Sequence, residues 1–267
     1  MTSAAPGQDI RGKRQELFQQ LKGLYAKQIE AGTIEYVKHH SNNNVMLMGQ
    51  VDAFIKYYPF LKHGKILDWG CLHGPDSAMV RMTGGPGNEI YGCDVYENKG
   101  FDVFRAFSQV HYTPLTHPYH LPFQDAQFDS VIGSGVIEHV ANPRESLKEL
   151  HRILKDQGSL LLTYAPSKHS FTEFVLRAIK HPHHRRRFTV QSLRALLLDS
   201  GFVAEKIEFH AVTPTLSSQH FDKMRGSSFS QELVDLLYRI NPFLEKFYPF
   251  NRLGQNLMVC ARRVGFI

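Results

Sequence analysis

Apolar runs that end in an acid or a small residue recur through the middle of the chain. They are KILDWGC, EIYGCDV, FDSVIGSG and SLLLTYA, at Lys65–Cys71, Glu89–Val95, Phe128–Gly135 and Ser159–Ala165. Such runs are typical of strands buried on both faces of a sheet. Between the last two, PRESLKELHRILKDQG opens with a proline and closes at Gly158, which predicts a helix over the whole segment. Strands that alternate with amphipathic helices predict an α/β fold with helices on both faces of a parallel sheet.

The N-terminal region has a different pattern. Apolar residues recur near helical spacing from Ile10 to about Lys62, with polar residues between them. The polar stretch Ser41–Asn44 predicts a turn that caps a second helix from about Val45, and that helix should end before Pro59. We therefore expect a helical layer before the first strand.

The C-terminal region predicts one more helix and two more strands. VQSLRALLLDSGF should form a helix that stops at Gly201, and VAEKIEFHA and NLMVCARR should form the last strands. We divide the chain into an N-terminal helical lid, residues 1–62, and a core, residues 63–267. The core carries insertions at 166–188 and 214–255, and these are expected on the substrate side.

Composition and charge exclude several classes of protein. A chain of 267 residues with 42% hydrophobic and 21% charged residues is ordinary for a globular protein and unlike a disordered one. We expect no membrane-spanning helix, because no apolar run is long enough, and we expect no secretory signal, because the first residues include no apolar stretch. Three separated cysteines favour a reduced, cytoplasmic location. The net charge of +6 allows an anionic partner without requiring one.

The segment ILDWGCLHGPDS, Ile66–Ser77, has the pattern of a ligand-binding turn. In open α/β sheets, ligands bind at the carboxyl ends of the strands. Here the strand delivers Asp68, and Gly70 and Gly74 frame a tight loop that lets a backbone approach a ligand closely. Asp94 ends the next strand, where an acid accepts hydrogen bonds from ribose hydroxyls. We therefore expect a nucleotide-type ligand at this edge.

The acids of this turn indicate which nucleotide it is. The dinucleotide pattern G-x-G-x-x-G lacks its middle glycine here. Asp68 before the loop and Asp76 in the first turn of the next helix would repel a pyrophosphate. They would attract a ligand that carries an ammonium and a sulfonium, such as S-adenosylmethionine (SAM).

Four motifs taken in order carry a family resemblance. ILDWGCLHGPDS, YGCDV, LPFQDAQFDSVIGSGVIEHV and LKELHRILKDQGSLLLTYAP resemble the successive motifs of class I SAM-dependent methyltransferases. The likeness is greatest to the small-molecule group that includes quinone methyltransferases, and it covers about Lys65–Phe209 and Asn256–Arg262. It implies an enzyme with a Rossmann-like, seven-stranded, mostly parallel sheet whose last strand is antiparallel. It also implies SAM as cofactor and S-adenosylhomocysteine as product.

The resemblance assigns roles to individual residues. Asp68 should orient the methionine ammonium, and Gly70 should allow the cofactor to approach. Asp94 should bind the ribose, Val95 should pack against adenine, and Ser134 should lie beside the methionine moiety. The full cofactor set expected from the resemblance is Asp68, Gly70, Leu72, Gly74, Asp94, Val95, His117 and Ser134.

Two positions depart from the family pattern. Leu72 replaces the middle glycine, and a leucine does not easily adopt a left-handed conformation, so we expect a reshaped loop and altered cofactor affinity. The acid that often precedes LPF and meets the adenine amine is missing, and His117 and Pro118 occupy that region. Adenine would then be contacted by backbone groups or by His117.

Methyl transfer to a hydroxyl benefits from a general base with a pKa near the working pH. The candidate is His139 in VIEHV, with Glu138 to orient it or to contact the substrate. In the alternative interpretation, the two residues cap the helix after Pro143 or pack beneath it. Tyr164, at the end of the run SLLLTYA, and His169, which follows it, are candidate substrate contacts, although the interpretation of Tyr164 as a core aromatic is favoured.

Partners are expected to be small molecules. The apolar helix face in 166–188, the basic cluster His181–Arg187 and the aromatics of 214–255 suit an apolar or lipid-linked acceptor and peripheral membrane contact. Plain packing or a homodimer contact explains them equally well. The pair His117/His120 and the histidines of the basic cluster have no evident carboxylate partner, so no metal is expected. No nucleic-acid motif is present.

These patterns favour one function over two alternatives. The leading hypothesis is a SAM-dependent methyltransferase that acts on oxygen of a hydroxylated, apolar, lipid or glycan-type metabolite. The first alternative is a relative that has lost catalysis and serves as a binding or assembly subunit, which Leu72 and the missing adenine acid would support. A nicotinamide-dependent oxidoreductase is disfavoured by the absent middle glycine.

Overall fold

A computed structural model describes residues 10–41, 44–84, 87–96, 100–170, 184 and 186–211, then 236, 239–240, 243–244, 246–247 and 250–265. Most of the expected insertions, 171–183 and 212–235 above all, lies outside the described residues. The apolar helix face and most of the basic cluster fall there too. No helix in the described part of the chain has the length and apolarity needed to cross a membrane.

Three helices precede the sheet. They are α1 (Arg14–Glu30), α2 (Glu35–Ser41) and α3 (Asn44–Tyr57). The helix expected from about Val45 begins at Asn44 and ends before Pro59 as predicted, followed by a short 3₁₀ turn, while residues 42 and 43 of the predicted turn lie outside the described residues. The sequence prediction missed the break between α1 and α2.

The sheet has seven strands in the order β3-β2-β1-β4-β5-β7-β6. The strands from β1 to β5 run parallel, and β7 is antiparallel to both of its neighbours. The predicted fold class is therefore confirmed. The strands are β1 (Lys65–Trp69), β2 (Glu89–Asp94), β3 (His111–Pro114), β4 (Phe128–Ser134), β5 (Leu154–Pro166), β6 (Phe202–His210) and β7 (Asn256–Arg263).

Four more helices connect the strands. They are α4 (Pro75–Met82), α5 (Asp102–Ser108), α6 (Pro143–Ile153) and α7 (Val190–Leu198). The chain moves outward from β1 to β3 and then returns to place β4 on the other side of β1. This reversal opens a crevice at the carboxyl ends of β1 and β4, which is where open α/β sheets bind ligands.

Two hydrophobic cores lie on opposite faces of the sheet, because successive side chains of a strand point to opposite sides. Ile66 and Leu161 pack with α1, α3, α4 and α5 on one face. Leu67 and Leu160 pack with α6 and α7 on the other. Tyr25 of α1 and Tyr57 of α3 are fully buried in the first core. The N-terminal helices thus form one layer with α4 and α5.

Two local predictions were wrong. The helix expected to run to Gly158 ends at Ile153, and the next strand begins at Leu154. Gly158 lies within β5, beside a register shift between β4 and β5, where an added Cβ would meet the Lys155 carbonyl oxygen at 2.8 Å. Close backbone approach, and not a helix C-cap, explains the glycine. The strand β3 was missed because HYTP is short and lacks an apolar run.

Gly201, between α7 and β6, provides a test of the fold. Its φ is +82°, and a Cβ there would meet the His151 ring at 2.5 Å. That ring is held by a 2.7 Å hydrogen bond to the Val264 carbonyl. We expect Gly201→Ala to lower the free energy of unfolding by about 2–4 kcal/mol, from left-handed strain plus overlap.

Gly84→Ala is the matched control, measured by the same urea denaturation. Gly84 also has a positive φ, +69°, but an added Cβ would meet nothing within 4 Å. Its cost should be about 1–2 kcal/mol, from backbone strain alone. Equal costs at the two positions would show that the His151 contact does not constrain this corner.

Candidate functional site

The turn after β1 lies at the sheet's point of reversal and is tied to the end of β2. The Gly70 amide donates to the Cys93 carbonyl at 2.8 Å. Gly70 has a φ of +68°, and a Cβ there would meet Val136 Cγ2 at 2.4 Å. Gly74, with a φ of +83°, leads directly into α4, whose first residue is Pro75. Each glycine therefore occupies a position that strains a larger residue.

Leu72 does not remove the left-handed conformation of this turn. Its φ is +44°, and its amide donates to Asp94 Oδ2 at 2.8 Å. The expectation that leucine would avoid this conformation is wrong. The cost of about 1–2 kcal/mol for a left-handed residue is offset by the hydrogen bond to a buried carboxylate and by packing of the leucine against the first core.

Asp94 closes β2 with its carboxylate at the turn. Besides the bond from Leu72, it accepts one from the Tyr96 amide at 3.2 Å. Asp94 is buried, whereas Val95 and Tyr96 are 67% and 62% exposed. The predicted ribose ligand and the predicted adenine contact thus lie side by side at one edge of the crevice. A large apolar side chain left this exposed offers a surface on which a flat ring can pack.

Two further acids are buried beneath the turn. Asp68 Oδ2 accepts from the Ser77 amide at 3.1 Å and from its hydroxyl at 2.6 Å. Asp76, in the first turn of α4, accepts hydrogen bonds from the Tyr57 and Ser134 hydroxyls. Burial raises the pKa of both carboxyl groups, and the proximity of Asp76 raises that of Asp68 further. Ser134, at the end of β4, also accepts a 2.7 Å bond from Thr163.

Glu138 and His139 lie in the loop that follows β4. The Glu138 side chain is only 3% exposed, that of His139 is 69% exposed, and Glu138 Oε1 lies 3.7 Å from His139 Nε2. Burial raises the Glu138 pKa to about 7, and Oε2 has no hydrogen-bond partner within the described residues. An added Cβ at Gly135 would meet Glu138 Oε1 at 3.7 Å and Tyr164 Cβ at 4.0 Å, so the carboxyl group lies near the carboxyl ends of β4 and β5.

The interpretation of these two residues as helix caps is wrong. Asn142 caps α6, where its side chain accepts from the amides of Arg144 and Glu145. The loop is held instead by Arg186, whose guanidinium donates to the carbonyls of Glu138 at 3.1 Å and Val140 at 2.6 Å. Arg186 belongs to the basic cluster His181–Arg187, and in the structure it stabilises the loop that carries Glu138.

The remaining predicted contacts are more dispersed. The Tyr164 hydroxyl donates to the Gly49 carbonyl of α3 at 3.1 Å, so this residue joins β5 to the N-terminal helices. The His169 amide donates to Ser167 Oγ at 3.3 Å. His117 Nδ1 accepts from the His120 amide at 2.8 Å and therefore closes its own turn. No contact among the described residues joins His117 to Asp94 or Val95.

The structure gives carboxylate partners to histidines for which none was evident. His120 Nδ1 lies 3.0 Å from Glu149 Oε2. Glu138, His139 and His184 place one ligand atom each within 4.8 Å of one another. Arg186 lies close enough to lower the Glu138 pKa through its charge, and a cation in that position opposes a second one. The expectation that no metal binds here stays a prediction.

Sequence reasoning missed several residues of the site. Tyr57 lies in α3, remote in sequence from the turn, and nothing in its surroundings indicated a contact with Asp76. Ser77 and Arg186 were overlooked for the same reason, since their partners are carboxylate and carbonyl groups distant along the chain. A polar residue in the first turn of α4 was the one available signal, and it pointed to Asp76 but not to its partners.

Comparison with known proteins agrees with this geometry. A family model described as a methyltransferase domain matches residues 44–207. The chain therefore belongs to this methyltransferase family, and its class is the SAM-dependent methyltransferases of the Rossmann-like fold. The nicotinamide alternative is thereby excluded.

Individual relatives are more distant. The chain is 35% identical over 138 residues to a probable S-adenosylmethionine-dependent methyltransferase of Mycobacterium tuberculosis, covering 52% of this chain and 48% of the relative. It is 29% identical over 128 residues to the tRNA U34 carboxymethyltransferase of Campylobacter curvus, covering 45% and 42%. The aligned region thus spans about half the length of the curated relatives it matches.

A solved structure shares the fold. It is a SAM-dependent methyltransferase of Thermotoga maritima, described as a possible histamine N-methyltransferase, with a TM-score of 0.53 and 18% identity. The alignment covers 79% of this chain and 87% of that one. At this identity the likeness supports the fold alone.

The buried Glu138 carboxyl gives a prediction about stability. A pKa raised to about 7 means that the folded state loses stability as the pH rises through 7, because the unfolded state ionises at lower pH. Glutamine does not ionise. Relative to the unsubstituted protein, Glu138→Gln should therefore gain about 2 kcal/mol in free energy of unfolding between about pH 5.5 and 8.5.

Urea denaturation at the two pH values measures this gain. Glu145→Gln is the control, because Glu145 is half-buried and paired with Lys148 at 3.0 Å. It should show no comparable rise. A Glu138→Gln curve parallel to that of the unsubstituted protein would mean that the carboxyl group is not held in an unfavourable environment.

Proposed function

We propose that the chain transfers the methyl group of SAM to an oxygen of a small-molecule acceptor, with Glu138 as the proton acceptor. The observation that carries this proposal is the buried Glu138 carboxyl group, whose pKa is raised to about 7 and whose Oε2 has no hydrogen-bond partner within the described residues. A buried acid with a strongly raised pKa is unfavourable for stability and typical of a functional group.

The cofactor would extend along the crevice from Asp94 toward Ser134. In this arrangement the ribose hydroxyls donate to Asp94, adenine packs on Val95, and the amino-acid end lies over Asp68. Gly70, whose position beside Val136 excludes any side chain, keeps the turn open to the ribose and the methionine chain. Support comes from the order of these residues along the edge of the sheet and from the family to which the chain belongs.

The proposed reaction needs no covalent bond between the protein and the substrate. SAM would supply an electrophilic methyl group: a C–O bond to the acceptor would form as the C–S bond breaks, and S-adenosylhomocysteine would leave as a neutral thioether. The acceptor's proton passes to Glu138, which is ionised above its pKa of about 7. Alignment of acceptor and sulfonium accounts for most of the rate, on the order of 7–11 kcal/mol of barrier at best.

Glu138 is the better proton acceptor of the two candidates. His139 is largely solvated, so we assign it to orienting Glu138 and relaying the proton to water. The buried carboxylate lies in a low dielectric, where its interaction with a hydroxyl is strengthened. An acceptor atom must enter a recess to reach it, which suits a small molecule better than a duplex nucleic acid.

RNA is the competing acceptor, since one relative is named as a tRNA carboxymethyltransferase. Its name describes a transfer to a tRNA base, which must be unstacked to enter a buried site. The formal charge of +6 permits RNA binding, but it is spread along the sequence.

Three free, buried cysteines support a cytoplasmic location. The membrane contact and homodimer expected from the insertions involve residues mostly outside the described part.

Tritium-labelled SAM tests the acceptor class. The protein is incubated with the low-molecular-weight filtrate of a cell extract, with total tRNA and with the protein fraction, each separately. We expect label in extractable small molecules. Glu138→Gln should lower that rate by roughly 10²–10⁴-fold, the usual contribution of a general base, and leave the affinity for S-adenosylhomocysteine within about threefold.

Glu145→Gln is the matched control and should transfer at the unsubstituted rate. Label confined to the tRNA or protein fraction, or transfer by Glu138→Gln at the full rate, would contradict the proposal. Absence of label in every fraction, with S-adenosylhomocysteine bound, would also contradict it.

A further inference from the structure

We infer that Asp76 is a second carboxylate for the cofactor's α-ammonium, and that Tyr57 of α3 positions it. The inference rests on the proposed cofactor site and adds a determinant outside the residues that the family resemblance indicates. Asp76 lies in the first turn of α4, directly after the cofactor turn. Asp76 is buried, and its carboxylate accepts a hydrogen bond from the hydroxyl of Ser134 at the end of β4.

The position of Asp76 follows from contacts on three elements. Tyr57 donates to Asp76 Oδ1 from α3, and Ser134 donates from β4. Asp68, at the end of β1, is linked to the same helix through Ser77. The two carboxyl groups thus flank the end of the crevice where Ser134 lies. The amino-acid part of the cofactor is expected there.

The charge at this end of the site is uncompensated. Neither Asp68 nor Asp76 has a lysine, arginine or histidine of the described chain among the groups that shift its pKa. Buried charges are costly unless they are paired. A ligand ammonium between the two acids would supply the missing cation. A single carboxylate would suffice to orient an ammonium, so the second one increases selectivity for the amino-acid part of the ligand.

Proton release gives an independent signature. Burial and mutual repulsion favour the protonated form of the pair in the free protein. An ammonium placed between them favours the ionised form, so binding near pH 7 should release a proton. The other titratable groups that face this pair across the surrounding elements are Tyr25, Tyr57, Cys71, Cys93 and Asp94.

Calorimetric titration with two probes separates the ammonium contact from the rest of the site. S-adenosylhomocysteine carries the ammonium, and 5′-methylthioadenosine shares its nucleoside and sulfur but lacks the amino acid. Asp76→Asn should weaken the binding of S-adenosylhomocysteine by roughly 10–100-fold, the range for loss of a hydrogen bond to a charged group. Binding of 5′-methylthioadenosine should change less than about twofold. Titrations in buffers of different ionisation enthalpy should show that the proton release is lost.

Tyr57→Phe tests positioning as opposed to direct contact. It should weaken the binding of S-adenosylhomocysteine, but not that of 5′-methylthioadenosine, by a smaller factor of roughly 3–10-fold, as expected for loss of a neutral donor. The double variant with Asp76→Asn should be no weaker than Asp76→Asn alone, because Tyr57 acts through Asp76. Tyr58→Phe and Asp102→Asn are controls at a neighbouring buried tyrosine and at the first acid of α5. Both should bind normally.

The outcomes are distinct. If Asp76→Asn weakens the binding of both probes equally, Asp76 supports the structure of the loop and does not contact the ammonium. If it weakens the binding of neither, Asp76 is not part of the site. Either result overturns the inference. Additive losses in the double variant would overturn the role of Tyr57. Thermal melting without ligand identifies a variant that fails to fold, in which case Tyr57→Phe with the two probes carries the test. If the unsubstituted protein binds neither probe, the proposed function itself fails.

Discussion

The hydrogen bonds that tie the turn after β1 to the end of β2 are the constraint on which the site depends. The Gly70 amide donates a hydrogen bond to the Cys93 carbonyl near the end of β2, and the Leu72 amide donates one to the Asp94 carboxylate. These contacts hold a left-handed leucine in place and bring an acid, an exposed apolar residue and two small residues to one edge. Every role proposed for the crevice assumes this arrangement.

The same region concentrates charge that the fold alone does not neutralise. Asp68 and Asp76 lie buried together below the turn, and Glu138 lies buried across the crevice. Burial raises the pKa of all three carboxyl groups. Such groups reduce folding stability above neutral pH, and in the proposed function a cationic methyl donor and an acceptor hydroxyl would give each of them a partner. A single cause, the binding of these ligands, would then explain why three acids are buried near one edge of the sheet.

Much of the fold could be predicted because its signals are local. Apolar runs marked β1, β2, β4 and β5, and Gly201 ended α7 as its position indicated. Where tertiary contacts decide, prediction failed: Gly158 is required by close backbone approach, β3 is polar and short, and Leu72 is held left-handed by a carboxylate from another strand.

The residues of the candidate site likewise fall into those that local sequence identifies and those that only the fold reveals. Asp68, Gly70 and Asp94 were identifiable because they stand in a compact motif and at a strand end. Tyr57, Ser77 and Arg186 were not, because their importance comes from partners far along the chain. The burial of Glu138 and the exposure of His139 also depend on the fold and on Arg186. Sequence reasoning therefore took His139 as the candidate base, whereas the buried carboxyl group supports our assignment of the proton acceptor to Glu138.

A crystal structure of the protein with S-adenosylhomocysteine bound tests the central claim most directly. The account predicts ribose hydroxyls on Asp94, adenine against Val95 and the sulfur opening toward Glu138. Ligand density at a different edge of the sheet, or a ribose with no contact to Asp94, would contradict it.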